Sequence, residues 1–173
     1  MVIIHSQQKL LNTSRLKASI QISQAGDNQY LHSWYAKLLR TGFPGKLLVM
    51  YVHEPSLMTV ICQGKTIQGT WEQFRLRLQE LLKRFEFPVT FIEAEMKLMN
   101  TYVVSRTDNK SILAHMNQMT FHLEYDCSRF ESYLSISLEF LEGHMMDHIY
   151  TYGKRFHDYR TPLDYWKQTG KLQ

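Results

Sequence analysis

The chain has 173 residues, of which 44% are hydrophobic and 13% aromatic, and a formal net charge of +4. This apolar content excludes intrinsic disorder, and a chain of this length buries roughly 70% of its unfolded surface without needing disulfides or metals. No apolar run approaches the roughly 20 residues of a membrane span, and the apolar start is too short for a secretory signal. The two cysteines, Cys62 and Cys127, favour free thiols, so a cytoplasmic protein with no membrane partner is predicted.

The N-terminal segment predicts a strand, a helix and a loop. Residues 2–5, of which the first three are apolar, indicate a buried strand, after which Ser6 is positioned to cap a short helix carrying Leu10 and Leu11. The polar residues 18–29 predict a loop.

Three strands are predicted in the next segment. Apolar runs at residues 34–40, 46–52 and 57–62 are separated by turn residues at 41–45 and 54–56. Short strands joined by short turns predict an antiparallel meander.

Two capping boxes predict the starts of the next two helices. The first is Thr70–Gln73 and the second is Thr90–Glu93, with Pro88 ending the first helix between them. One helical face behind the first box is apolar: Trp71, Phe74, Leu78, Leu81, Leu82 and Phe85.

A further helix follows a polar turn and runs to about Cys127. Asp108 or Asn109 can cap its first turn. The apolar stripe on its inner face has a four-three-four spacing: Ile112, Met116, Met119 and Leu123.

These elements predict an α+β fold, with a small antiparallel sheet covered on one side by two or three helices within residues 1–130. Residues 131–173 predict an aromatic-rich extension that packs on this core or on a partner chain. Within it, residues 133–141 alternate as a strand would, although a helix is nearly as consistent, and Gly143 should break either element. The last thirty residues of the extension contain most of its aromatic residues: Tyr150, Tyr152, Phe156, Tyr159, Tyr165 and Trp166.

Several of these segments resemble an uncharacterised family of small bacterial proteins, known only as a domain of unknown function. The matching pieces, within about residues 1–130, are residues 2–11, 34–39, the strand pair ending at Cys62, and 109–117. In that family the last piece typically reads asparagine, a basic residue, then Ser-Val-Leu-Gly-Ser-Met-Asn-Asp; here Ala114, His115 and Gln118 replace the glycine, serine and final aspartate. The resemblance implies an accessory gene, often carried on a mobile gene cassette, and implies no activity.

Charge is distributed unevenly along the chain. Residues 1–50 carry six lysines and arginines and one aspartate, whereas residues 124–142 carry five acidic residues and one arginine. The basic part could attract nucleic acid. Because nucleic-acid domains usually have a denser basic cluster, the favoured interpretation is that the two regions face each other in the fold or across a dimer.

The best-spaced metal-ligand pair is His144 and His148, which would share one face of a helix, with Asp147 or Glu142 as an oxygen ligand. No glutamate follows His144 as the zinc-protease motif requires, so a solvated face is favoured and no metal or other cofactor is predicted. Neither cysteine has the electropositive surroundings of a reactive thiolate. Glycine motifs for phosphates or dinucleotides are also missing.

Four residues are candidates for ligand binding: Trp34, Arg40, His115 and Asn117. Asn117 is an amide within a largely apolar helix, while Trp34 and Arg40, beside Lys37, could stack on and pair with a nucleotide. The alternatives are that Asn117 bonds to neighbouring groups and that the strand residues are simply half-buried.

The sequence leads to two functional hypotheses, and neither of them specifies a reaction. The favoured one is a non-enzymatic binding or interaction protein that self-associates as a homodimer or larger oligomer through its aromatic tail. The alternative is a small-molecule-binding domain or enzyme with a pocket between the sheet and the helix carrying Asn117, where His115 and His122 are polar candidates.

Overall fold

A computed structural model describes residues 1–19, 32–152 and 158–172. It confirms an α+β fold, built on a five-stranded mixed sheet with the strand order β4-β3-β2-β1-β5. The strands are β1 (Val2–Ser6), β2 (Ser33–Arg40), β3 (Leu47–His53), β4 (Thr59–Gln63) and β5 (Tyr102–Arg106). Most of the predicted loop at 18–29 lies outside the described residues.

Three strands form the expected meander, and two do not. β2, β3 and β4 are antiparallel neighbours, whereas β1 pairs in parallel with both β2 and β5. The prediction of a wholly antiparallel sheet was therefore wrong. Parallel pairing needs a long connection, and the helical segments between β1 and β2 and between β4 and β5 supply one.

Helices cover both faces of the sheet, not one face as predicted. They are α1 (Gln8–Ser14), α2 (Ile67–Arg84), α3 (Val89–Leu98), α4 (Lys110–Cys127), α5 (Leu138–Asp147) and α6 (Pro162–Gln168). Successive strand side chains point to opposite faces, so Trp34 and Ala36 join a core with α1, α2, α3 and α6. Tyr35 and Leu39 join a second core with α4 and α5.

The predicted caps of the first three helices were wrong. Thr66, not Thr70, caps α2 by accepting a hydrogen bond from the amide of Gly69 at 3.1 Å. Thr70 lies a turn inside α2, where its hydroxyl bonds to the phenol of Tyr51 at 2.7 Å. Pro88 precedes α3, and α1 also has no side-chain cap because Ser6 belongs to β1.

The prediction for α4 is confirmed. Asn109 caps the helix, accepting hydrogen bonds from the amides of Ser111 and Ile112 at 3.0 and 3.3 Å. The predicted stripe is buried in the second core: Ile112, Met116, Met119 and Leu123.

Residues 133–141 form no strand, and all of them except Ile136 and Ser137 are helical. A 3-10 turn at Tyr133–Ser135 precedes α5, which Ser137 caps, and Gly143 lies inside α5 without ending it. The strand interpretation would give Leu134 and Phe140 a shared buried face, but Leu134 is 86% exposed. The helical spacing instead buries Leu141 and Met145 against the sheet.

Most of the described aromatic residues beyond residue 131 pack on the rest of the chain. Tyr150 is buried in the second core, and Trp166 of α6 is buried in the first, against Phe87 and Phe91. The strands β6 (Tyr150–Tyr152) and β7 (Asp158–Arg160) form an antiparallel pair, in which Tyr159 is exposed. Phe156 and the side chain of Tyr152 lie outside the described residues.

One buried carboxylate joins the sheet edge to two helices. Glu142 of α5 is 1% exposed and accepts two hydrogen bonds from Arg77 of α2, at 2.9 and 2.6 Å. It also accepts the backbone N–H of Ile61 on the edge strand β4 at 3.0 Å and a longer bond from Arg84 at 3.4 Å. Glu142 thereby satisfies a backbone donor at the edge of the sheet, where no other strand of the described residues pairs with β4.

We expect Glu142→Ala to destabilise the protein by about 3–5 kcal/mol, because the guanidinium of Arg77, whose side chain is only 15% exposed, would lose its partner and the Ile61 amide would lose its acceptor. Equilibrium unfolding in urea measures this change. Glu139→Ala is the matched control, since Glu139 lies on the same helix, is 72% exposed and approaches Arg84 only at 3.9 Å. The control should cost less than about 1 kcal/mol; similar losses for both variants would contradict the assignment.

Candidate functional site

A polar seam runs between β2 and α4, and three residues of β2 contact α4 at successive levels. Tyr35 meets the N-terminal end of α4, Lys37 meets its middle and Arg40 meets its last turns. Tyr35 and Lys37 share the α4 face of the sheet because strand side chains alternate. The alternation of side chains along β2 therefore determines which of its residues face α4.

At the first level, hydrogen bonds fix the start of α4. The phenol of Tyr35 donates to Asp108 at 2.5 Å and accepts the amide of Asn109 at 3.2 Å. The side chain of Asn109 donates to Glu54 at 2.6 Å. Burial, together with the bond to Asp108, raises the pKa of Tyr35, so this phenol stays a proton donor. His5 stacks on Tyr35 with ring centroids 4.6 Å apart.

At the second level, a half-buried lysine bonds to two neutral acceptors. Nζ of Lys37 donates to Oδ1 of Asn117 and to the hydroxyl of Thr120, both at 2.9 Å. Burial lowers the pKa of Lys37, and the nearby carboxylate of Glu124 opposes this effect. The positive charge of Lys37 is therefore less fully compensated than it would be if its ammonium group were bonded directly to a carboxylate.

At the third level, an open groove of about 270 Å³ adjoins Lys37. Its walls come from the segment after β1, the second half of β2, and α4. Lys9, Lys37 and Arg40 bring positive charge to the groove, and Glu124 accepts the backbone N–H of Arg40 at 3.1 Å. The groove lies beyond the carboxyl end of β1, the position where open sheets with parallel strands commonly bind ligands.

The structure brings two of the four candidate ligand-binding residues to this seam. Arg40 lines the groove, and Asn117 holds Lys37 beside it. Trp34 is buried on the opposite face, with its ring centroid 4.9 Å from that of Phe74. His115 turns away toward Tyr150, with centroids 5.7 Å apart, because residues two apart point to different sides of a helix.

Three groove residues were missed by the sequence analysis: Lys9, Thr120 and Glu124. A sequence signal for two of them exists, because Asn117, Thr120 and Glu124 repeat the three-four spacing one position after the apolar stripe of α4. They form a polar edge beside that stripe. Lys9 carries no such signal, since its place in the groove depends on how β1 pairs with β2.

The proposed histidine pair does not share a helical face as expected, because α5 ends at Asp147 and His148 is extended. The centroids of the His144 and His148 rings are 6.4 Å apart. Within the described residues, no group of three or more His, Cys, Asp or Glu side chains could hold a metal ion. Cys62 and Cys127 are buried free thiols, and burial raises the pKa of both.

Basic and acidic segments meet at the groove only in part. Glu124 lies beside Lys37 and Arg40, but Glu142 binds arginines of α2, and Asp126 bonds to His144 at 2.6 Å. In the described part of the chain, no helix is long and apolar enough to cross a membrane.

A mixed sheet between two helical layers, with a charged groove at the end of a parallel strand, defines this molecule as an α+β domain with a candidate ligand groove. The chain belongs to the family described as Domain of unknown function (DUF6933), whose model matches residues 3–165. This match confirms the resemblance seen in the sequence and extends it beyond residue 130. No curated protein matches the chain.

We expect Asn117→Asp to raise the pKa of Lys37 by at least about 1 pH unit, because a carboxylate would replace the amide oxygen 2.9 Å from Nζ. An NMR titration of the labelled lysine side chain measures this pKa. Gln118→Asp is the control, since it adds the same charge at the next, exposed position. An equal rise in both variants would show that Asn117 has no special place beside Lys37.

Proposed function

We propose that this protein is a non-enzymatic binding domain that holds a small anionic ligand, a carboxylate or phosphate compound, in the groove between β2 and α4. The observation that carries this proposal is the convergence on one groove of Lys9 from α1 with Lys37 and Arg40 from β2. Glu124 is the acidic member of the groove, so cationic side chains outnumber it by three to one. An anion is the ligand that this balance favours.

Lys37 is the residue best placed to recognise the ligand. An ammonium group has three N–H donors, and Lys37 directs two of them to Asn117 and Thr120. Those two bonds fix the direction of Nζ and leave one donor for a ligand oxygen. Because Lys37 is only partly compensated by Glu124, a bound anion would also favour its charged form.

The groove supports binding more than catalysis. Its carboxylate, Glu124, is engaged by the backbone of Arg40, and the two cysteines lie in the cores, away from the groove. Among the described groove residues there is no paired nucleophile and base of the kind that covalent catalysis requires.

Isothermal titration with citrate and with inorganic pyrophosphate tests the proposal. We expect saturable binding by at least one of them, and affinity roughly 10–150-fold lower for Lys37→Met, because a charge-assisted hydrogen bond contributes roughly 1.5–3 kcal/mol. Lys97→Met is the control, since it removes an equal charge from an exposed position on α3. Binding of neither probe, or equal affinity in the two variants, would contradict the groove assignment.

A second candidate function is self-association, with a second copy of the chain as the partner. Half of the exposed large apolar side chains in the described residues fall between residues 121 and 149: Phe121, Tyr125, Leu134, Phe140 and Ile149. Phe121 and Tyr125 are one turn apart on α4 and are 76% and 68% exposed. Patches of this kind commonly mark interaction sites.

The α4–α5 face suits a second copy better than the tail does. Trp166 is buried in the chain's own core, so it is not available to a partner.

Sedimentation velocity distinguishes this candidate. We expect a dimer that the double variant Phe121→Ser with Tyr125→Ser converts to a monomer, because the variant removes the apolar area of the contact. Leu76→Ser is the control, since Leu76 is 61% exposed but lies on α2, across the sheet. A wild-type monomer at high protein concentration would rule the candidate out.

We further infer a reducing, cytoplasmic setting in a bacterium, with a mobile gene cassette as the source. The buried state of Cys62 and Cys127, in separate cores, is compatible with a compartment that keeps thiols reduced. The bacterial and cassette origins rest on the resemblance described above. Nucleic acid is a less favoured partner, because the cations of the groove share a small space with Glu124.

A further inference from the structure

The surroundings of Lys37 satisfy a neutral amine as well as an ammonium group. Nζ donates to Oδ1 of Asn117 and to the hydroxyl of Thr120, both at 2.9 Å. The hydroxyl of Thr120 donates its own proton to the carbonyl of Met116 at 2.7 Å, so its oxygen accepts from Lys37. Both partners are therefore neutral acceptors. A deprotonated lysine keeps two N–H groups, which is the number that these two acceptors require.

The remaining position on Nζ is the one that a ligand can reach. A tetrahedral nitrogen with two N–H groups directed at α4 has one further direction. That direction carries the third N–H in the charged form and the lone pair in the neutral form. Lys37 and Thr120 both line the groove of about 270 Å³, together with apolar side chains such as Leu10 and Leu47. A small molecule in the groove therefore lies beside this nitrogen.

The local environment also favours the neutral form. Burial lowers the pKa of Lys37, and Glu124 opposes this effect from a distance. Oε1 of Glu124 is engaged by the backbone N–H of Arg40 at 3.1 Å, so it does not hold the proton of Lys37 directly. A lower pKa gives a larger neutral fraction near neutral pH. Desolvated lysines are the ones that act as nucleophiles toward carbonyl groups.

We propose that Lys37 binds a small carbonyl compound in this groove covalently, as a reversible imine. The lone pair of Nζ attacks the carbonyl carbon, and the π electrons of the C=O bond move to oxygen, which gains a proton as nitrogen loses one. The carbinolamine then loses this oxygen as water when nitrogen releases its second proton and the C=N bond forms. Addition of water reverses both steps, so neither an oxidant nor a reductant is consumed. A protonated imine keeps one N–H for Asn117 or Thr120.

An oxo acid is the carbonyl compound that the groove favours, and this preference rests on the proposed anion-binding function. Lys9 and Arg40 line the same groove as Lys37. They are placed to pair with a carboxylate while the neighbouring carbonyl carbon reaches Nζ. The imine itself does not require these two cations, so the two parts can be tested separately.

Reductive trapping tests the proposal. The protein is incubated near neutral pH with glyoxylate or, separately, with propanal, and cyanoborohydride then donates hydride to the imine carbon and makes the adduct permanent. Peptide mapping by mass spectrometry distinguishes Lys37 from the N-terminal amine and from the other lysines. We expect Lys37 to be labelled faster than Lys97, an exposed lysine of α3, and Lys37→Met to lose this adduct alone.

A second pair of variants tests the role of the neutral acceptors. Asn117→Asp should slow the labelling of Lys37 roughly tenfold near neutral pH, because a carboxylate beside Nζ stabilises the ammonium form and each pH unit of pKa changes the neutral fraction tenfold. Gln118→Asp adds the same charge at the next, exposed position and should be labelled as fast as the wild type.

Two outcomes would overturn the proposal. One is labelling of Lys37 that is no faster than that of Lys97 with either probe. The other is equal slowing in Asn117→Asp and Gln118→Asp. Calorimetry with citrate and pyrophosphate reports separately on anion binding. Preferred labelling of Lys37 by propanal in a protein that binds neither anion would support the imine and contradict the anion-binding function.

Discussion

The carboxylate of Glu142 connects parts of the fold that no continuous strand or helix joins. It holds Arg77 of α2 on one face of the sheet, the amide of Ile61 at the open edge of β4, and its own helix α5 beside that edge. α5 contributes Met145 to one core and Met146 to the other, so its position affects both. Because α5 packs on α4, Glu142 also helps, indirectly, to position α4, which forms a wall of the groove and carries His122.

The alternation of side chains along β2 determines which polar residues of this strand face α4. One set of its side chains, including Trp34, completes the core under α2, and the other set places Tyr35 and Lys37 against α4. Lys37 is half-buried because α4 covers it, and it faces the groove because β1 ends before β2 does. The candidate anion site thus exists because β2 extends beyond the end of β1 and because α4 has a polar edge beside its apolar stripe.

Sequence patterns predict the individual helices and strands better than they predict which of these elements pair or pack with one another. The stripe of α4 and the cap at Asn109 are local features, and both could be predicted. The boxes at Thr70 and Thr90 failed because Thr66 and Pro88 start those helices earlier, and a box pattern does not exclude an earlier start. The parallel pairing of β1 depends on residues far apart, which periodicity does not report. Arg40 and Asn117 could be predicted as candidates, whereas the place of Lys9 in the groove needed the topology.

The central claim is that Glu142 secures the edge of the sheet, and hydrogen exchange of the Ile61 amide, followed by NMR, tests it most directly. An outward-facing amide on an edge strand normally exchanges by small local openings. If the Glu142 carboxylate holds the Ile61 amide as described, this amide should exchange as slowly as the amides in the interior of β3. Rapid exchange of the Ile61 amide, with β3 still protected, would contradict the account.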